Sequence, residues 1–293
     1  MVKGNMKYLG RYILLVMRLI ILSISTKKYN KEISFIAGNL IKNRNRIAPY
    51  CMFPYANLRN AGVIKTYWDD VINLPYVNHK NKRLYFPQSY TLKKVEDVYR
   101  NFIENECILG GDYKVKQPHQ YQSSSFMIND GDVLVDVGCA EALLTLDNIE
   151  KVEKAYLFEG DPKWFPALKA TFMNYKEKVV IIEKYVSGKD TEQTISLSSA
   201  LKCEEGKSLF VKMDIEGAEV EVLKGSKDFL TSNKNIKLAC CTYHKHYDEK
   251  EVTKLVTDMG FHYELTDGYM YNIWDEKDMH YPYFRHVLLR GWK

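Results

Sequence analysis

The run VKMDIEGAE at 211–219 puts three carboxylates, Asp214, Glu216 and Glu219, within six positions. Leu209, Phe210, Val211 and Met213 read as a buried strand, and Val220, Leu223, Phe229 and Leu230 recur at helical spacing behind the turn at Gly217. A carboxylate therefore stands at the C-terminal end of a core strand, where a helix begins. In open α/β sheets that rim is where ligands bind. Capping the helix would use one carboxylate, so three point to a site. Carboxylates there can accept a proton or hold a hard cation. His244 ends the next strand and His246 follows two residues later. If the strand persists, both lie on one side, as a base with a neighbour, as two metal ligands, or as plain surface histidines.

The elements that position these groups alternate from about residue 107 onward. VLVDVG (133–138), AYLFE (155–159), VVIIEKYVS (179–187), LFVKMD (209–214) and KLACCTYH (237–244) read as strands. Helices are expected over 141–150, from Pro162 to about Tyr175, over 218–230 and over 248–259, with a turn of helix over 196–201. FHYELT (261–266) and FRHVLLR (284–290) are strands with no helix between them. That order predicts an α/β fold, a Rossmann-like, seven-stranded, mostly parallel sheet with an antiparallel last strand. Residues 1–105 form a basic, mainly helical N-terminal extension, with one amphipathic helix from Leu92 to about Phe102. Residues 106–293 form the α/β domain.

Asp136 ends the first strand and Gly138 marks the turn. A nicotinamide or flavin fingerprint wants G-x-G-x-x-G, but Ala140 and Leu143 stand where the later glycines belong. The absent pyrophosphate cradle argues against a nucleotide-dependent oxidoreductase. S-adenosylmethionine has no phosphate and asks only for an acidic residue near the turn and a helix start. Glu159 ends the second strand, the position of a carboxylate that accepts ribose hydroxyls.

Asp136-Val-Gly138-Cys-Ala, Glu159-Gly-Asp161-Pro and DIEGAE at 214–219, continued through YHKHYDEKEV (243–252), Gly260, DGYM (267–270) and RHVLLRGWK, resemble the FkbM family of S-adenosylmethionine-dependent methyltransferases. The resemblance covers about 107–293, and residues 1–105 lie outside it. It departs from the family at Ala140 and Ala142, where further glycines are common. The resemblance implies a class I methyltransferase fold and methyl transfer, usually to the oxygen of a sugar or other secondary metabolite. It puts Asp136, Gly138, Ala140, Glu141, Glu159 and Asp214 on the cofactor. Asp214 and His244 are then the catalytic candidates, Glu216, His246 and Tyr269 stand towards the acceptor, and no resident metal is expected. Gln117, His119, Gln120 and Tyr121, ahead of the first strand, read either as contacts to the cofactor carboxylate or the acceptor, or simply as a polar loop. Trp164 reads as core. The competing readings are a methyltransferase of a small metabolite or peptide, and a silent binding module with a decayed turn.

The net charge of +5 is unevenly placed: residues 1–50 carry +9 and the remainder −4. An acidic body without a base-flipping motif argues against a nucleic-acid substrate. Tyr12 to Ser25 is apolar but holds Arg18 and is too short for a span, which needs ~20 residues. With Lys3, Lys7, Arg11, Lys27 and Lys28 nearby, residues 1–28 suit an amphipathic helix on an anionic membrane face, or a helix packed on the core or a second subunit. Six cysteines without metal-ligand spacing point to reduced thiols in a cytoplasmic setting.

Overall fold

The computed structural model describes residues 10, 13–14, 16–21, 24, 50–53, 62–106, 108–109, 117–204, 206–272 and 284–293. In chain order the strands are β1 (Tyr50–Phe53), β2 (Thr66–Asp69), β3 (Leu74–His79), β4 (Lys82–Tyr85), β5 (Val133–Val137), β6 (Lys154–Phe158), β7 (Val179–Ile182), β8 (Tyr185–Val186), β9 (Thr194–Ile195), β10 (Leu209–Met213), β11 (Ile236–Cys241), β12 (His262–Leu265), β13 (Tyr269–Asn272) and β14 (Leu288–Trp292).

The main sheet has seven strands in the order β12-β14-β11-β10-β5-β6-β7. β7, β6, β5, β10 and β11 run parallel, while β14 is antiparallel to both of its neighbours. This is the expected Rossmann-like, mostly parallel sheet with an antiparallel last strand. All residues of β5 and β10 are buried, as strands covered on both faces must be. Alternation sends Leu134 and Phe210 into one core layer and Val133, Val135, Val211 and Met213 into the other. Cys240 and Cys241 likewise divide between the two layers, as their adjacency implied. Strand order reverses between β5 and β10, so their C-terminal ends diverge and leave a crevice.

Three expectations need correction. The stretch 179–187 is two strands: β7 belongs to the main sheet and β8 pairs with β9. The exposed Glu183 turn separates them, and the Tyr185 ring then lies against Gly160, where a Cβ would meet it at 2.3 Å. The helix over 218–230 is also two, Glu219–Gly225 and Lys227–Ser232. Gly225 approaches Gly188 so closely that a Cβ would stand 2.1 Å from its Cα, and the axis breaks beside that contact.

The third correction concerns the extension, whose described part is not mainly helical. β2, β3 and β4 form an antiparallel meander ahead of the helix Leu92–Arg100, which continues as a π-helical turn, Asn101–Glu106. Tyr67, Trp68, Tyr76 and Val77 suit strands, and Lys80 and Asn81 take φ of 47° and 68° at the hairpin between β3 and β4. This part shares a core with the α/β region: Leu74, Val77, Leu84, Phe86 and Val95 pack in one cluster with Leu134, Leu143 and Leu168. Buried His79 bridges to Asp147 at 2.9 Å and to the Tyr99 hydroxyl at 2.8 Å.

In the N-terminal arm, the described residues between 10 and 24 are helical. Leu19 is buried, whereas Ile13, Met17, Ile20, Ile21 and Ile24 form an exposed apolar stripe. No helix among the described residues is long and apolar enough to cross a membrane. Lys3, Lys7, Arg11, Lys27 and Lys28 lie outside the described residues.

Candidate active site

The crevice between β5 and β10 opens into a cavity of about 890 Å³, within the usual range for small-molecule sites. Asp136, Gly138, Ala140, Glu141, Asp214, Glu216 and His244 all line it. So do His119 and Tyr121, while the helix Leu92–Arg100 closes it from the extension side.

The turn after β5 is held tightly. Gly138 and Cys139 both donate backbone N–H bonds to Phe158 O at the end of β6. At Gly138, φ is 70°, and a Cβ would fall 2.1 Å from Asp214 O and 2.8 Å from Ile215 Cγ2. Only glycine fits this approach. Ala140 and Ala142 also take left-handed φ, 46° and 60°. The chain thus keeps a glycine-type turn while carrying alanines, at about 1–2 kcal/mol per residue. Glu159 does not line the cavity. It clamps the turn from β6: Oε2 accepts from Ala140 N at 2.9 Å and Oε1 from Asp161 N at 2.7 Å.

Beneath the turn lies a buried charge pair. Lys212 Nζ is 3.1 Å from Asp136 Oδ1 and donates to Gly138 O at 2.6 Å. Thr145 Oγ1 donates to Asp136 Oδ2 at 2.7 Å. Burial opposes the Lys212 charge, but Asp136 first and Asp214 next outweigh it and raise its pKa above the ordinary lysine value. The role of Lys212 was missed at the sequence level, although its signal was present: one charge inside the apolar run 209–213.

Asp214 is the centre of a second network. Tyr121 Oη donates to Asp214 Oδ2 at 2.8 Å. His119 Nε2 lies 3.4 Å from Oδ2, and His244 Nε2 lies 3.3 Å from Oδ1. Beyond them, His119 Nδ1 is 3.4 Å from Glu106 Oε2, and His244 Nδ1 is 2.9 Å from Glu219 Oε1. The ring contacts with Asp214, Glu106 and Glu219 are ion pairs by distance, and His119 Nε2 also lies 3.1 Å from Tyr121 Oη. Burial disfavours charge on both rings, yet Asp214 and then Glu219 hold His244 protonated up to about 10, and Asp214 and then Glu106 hold His119 up to about 9. Burial would raise the Asp214 carboxyl, but the two imidazoliums hold it well below the ordinary range. An imidazolium has no lone pair to take a proton, so His244 acts here through its charge rather than as a neutral base.

His119, Gln120 and Tyr121 are not a surface loop. All three are buried, and His119 and Tyr121 reach Asp214 from a segment 93 positions away. Trp164 is buried at the cavity wall against Tyr90 and Phe86. Two acceptor-side candidates are not brought to the cavity. β11 stops at Cys241, so His246 does not share a strand face with His244, and its Nε2 lies 3.5 Å from Arg285 Nη2. Tyr269 packs on His286 and Phe284. Donor atoms of Asp214, Glu219 and His244 lie within 4.8 Å of one another, as do those of His119, Asp214 and Cys241. In the first set the two carboxylates face opposite nitrogens of one ring, which is the geometry of an imidazolium bridge rather than of one ion's ligands.

Residues 176–263 match the family model described as the methyltransferase FkbM domain. No curated protein matches the sequence. Among solved structures, the chain is similar to methyltransferase FkbM from Methylobacillus flagellatus KT, with 18% identity over 71% of this chain and 56% of that one and a TM-score of 0.47. It is also similar to precorrin-6y C5,15-methyltransferase from Geobacter metallireducens, with 11% identity over 58% and 84% of the two chains and a TM-score of 0.39. A third is magnesium protoporphyrin IX methyltransferase from Synechocystis with bound SAM, with 12% identity over 56% and 71% and a TM-score of 0.36. The chain thus spans little more than half the length of the first of these.

Proposed function

From a chain that carries an FkbM methyltransferase match at 176–263 on a seven-stranded Rossmann-like sheet, we propose an S-adenosylmethionine-dependent methyltransferase that acts on a hydroxyl group, in a sugar or glycan intermediate. The observation that carries this reading is that the glycine turn, clamped from outside the cavity by Glu159, and the Asp214 network meet at the crevice where strand order reverses. The residues fit the cofactor. The Gly138 turn admits close backbone approach, and the Glu159 carboxylate is already oriented by two backbone donors. Asp136, Gly138, Ala140, Glu141 and Glu159 would hold the cofactor, with Lys212 fixing the turn from below. When bound, S-adenosylmethionine supplies an activated methyl group on a sulfonium.

The chain's part is then to align the acceptor and receive its proton. Asp214 is the group for this task. Its low pKa makes it a weak base, but a hydroxyl whose oxygen is forming a bond to carbon becomes a strong acid, so a carboxylate suffices. His119, His244 and Tyr121 orient Asp214, and Glu216, at the open rim, stands towards the acceptor. The left-handed turn at Ala140 and Ala142 supports an intact cofactor site over a decayed one.

Calorimetric titration with S-adenosylmethionine and S-adenosylhomocysteine tests the reading. The wild type is expected to bind both, and Glu159→Ala to lose about 10–100-fold in affinity, the worth of hydrogen bonds to a charged group. A wild type that binds neither ends the proposal.

For the arm, we infer a peripheral contact with an anionic membrane face. The exposed stripe from Ile13 to Ile24 and the +9 charge of residues 1–50 support it over a second copy, whose own basic arm would repel. Flotation with phosphatidylglycerol-containing vesicles is expected for the full chain and not for a chain lacking residues 1–28. Equal flotation of the two removes the idea.

A further inference from the structure

The turn after β5 is strained on both sides of one residue. Ala140 and Ala142 hold left-handed φ, and Glu141 between them is carried inward. Its side chain is buried in the cavity wall, 4% exposed. Strain held at such a position marks a functional constraint.

Glu141 has no cation of its own. Among the described residues no lysine, arginine or histidine lies within ion-pair distance of it. The positive group that acts on it is Lys212 on β10, already bound to Asp136 and to Gly138 O. The other titratable groups around it are Asp136 on β5, Glu106 on the π-helical turn and the Cys139 thiol in the same turn, none of them cationic. Burial comes first and is reinforced by Asp136 and Glu106; against the pull of Glu141's own backbone N–H and of Lys212, it pushes the carboxyl up to about 8, so it carries a proton at neutral pH. A buried acid with carboxylate neighbours and open cavity in front of it is a socket for a positive charge.

We propose that Glu141 is the counter-ion of a primary ammonium on the cavity's ligand, the α-ammonium of the cofactor's amino-acid end, and that binding drives the Glu141 proton into solvent. This rests on the cofactor reading above. The step is an ionisation: the carboxyl O–H breaks, its proton goes to buffer, and the ammonium keeps all three of its own.

Calorimetry of the full chain at pH 7 in buffers of different ionisation enthalpy, phosphate and Tris, reads the proton count. Close to one proton released per S-adenosylmethionine is expected, since a group with pKa about 8 is ~90% protonated at that pH. Methylthioadenosine, which shares the adenosine but lacks the ammonium, is expected to bind without release. Glu141→Gln is expected to bind S-adenosylmethionine with little release and a flatter affinity between pH 6 and 8. Binding of S-adenosylmethionine with equal enthalpy in both buffers overturns this inference and leaves the cofactor reading standing. Equal release with methylthioadenosine also overturns it. Failure of the wild type to bind either compound ends both. The methylthioadenosine arm needs no variant, so the proposal stays testable if Glu141→Gln does not fold.

Discussion

Gly138→Ala is expected to lose detectable cofactor binding and to lower the melting temperature by about 10 °C, a stability loss of about 3–5 kcal/mol. Two costs add. The left-handed φ of 70° costs a non-glycine residue about 1–2 kcal/mol. The new Cβ would also stand 2.1 Å from Asp214 O, a backbone atom at the end of a central strand that cannot swing aside. Separating the two strand ends means breaking the Asp214 N to Val137 O bond that couples the rims of β5 and β10. Gly131→Ala supplies the control: its φ is 81° but nothing lies within 4 Å of the added atom. It should show the conformational cost alone, about 1–2 kcal/mol. Scanning calorimetry of both proteins decides the point. Equal losses in the two would mean that strain alone accounts for Gly138 and that the close approach to Asp214 is relieved easily.

The second large effect concerns His244. His244→Ala leaves Glu219, fully buried, without its ring partner, and removes one of the two cations facing Asp214. Breaking a buried pair on one side costs about 3–5 kcal/mol. Turnover should fall far more than cofactor affinity, because the ring holds the group that meets the acceptor. The pH dependence fixes the sign. Folding raises His244 to about 10 and His119 to about 9, against 6.5 for a free imidazole. Between those values the folded state holds more protons than the unfolded one, so stability falls as pH rises. The stabilisation is complete below about pH 6.5 and is lost as pH climbs through 9 to 10. Glu141, raised to about 8 from an ordinary 4.5, adds a fall of the same sign at lower pH. The imidazoliums are therefore read above pH 8. Urea unfolding at pH 8, 9 and 10 should show a decline in the wild type and a shallower one in His244→Ala. Parallel curves would mean that His244 is neutral in the folded protein, which would return it to the role of a base.

The parts of the fold legible in the sequence are those decided locally. β5, β6 and β10 are apolar runs because both faces are covered, and the turn residues that follow them sit at the rim by topology. Seven of the candidate residues meet in the cavity, on or after β5, β10 and β11. Other features are decided across distance. His119 and Tyr121 look like polar loop residues until Asp214 arrives beside them. His246 was paired with His244 on the premise of a continuing strand, and the chain turns after Cys241 instead. The meander β2–β4 has no Asn-Gly turn to announce it, since Lys80 and Asn81 take the left-handed conformations. Lys212 was visible as an oddity but needed Asp136, 76 positions away, to become intelligible.

The placing of β14 has a consequence in time. It sits between β11 and β12, yet it is the last strand in chain order. During synthesis β12 emerges first and has no partner, and β11 stands as an open edge with apolar side chains on both faces. Completion of the sheet must wait for residues 288–292, which close two edges in one event. A chain cut after residue 272 would thus display an incomplete sheet whose exposed margin is the very strand that leads to His244.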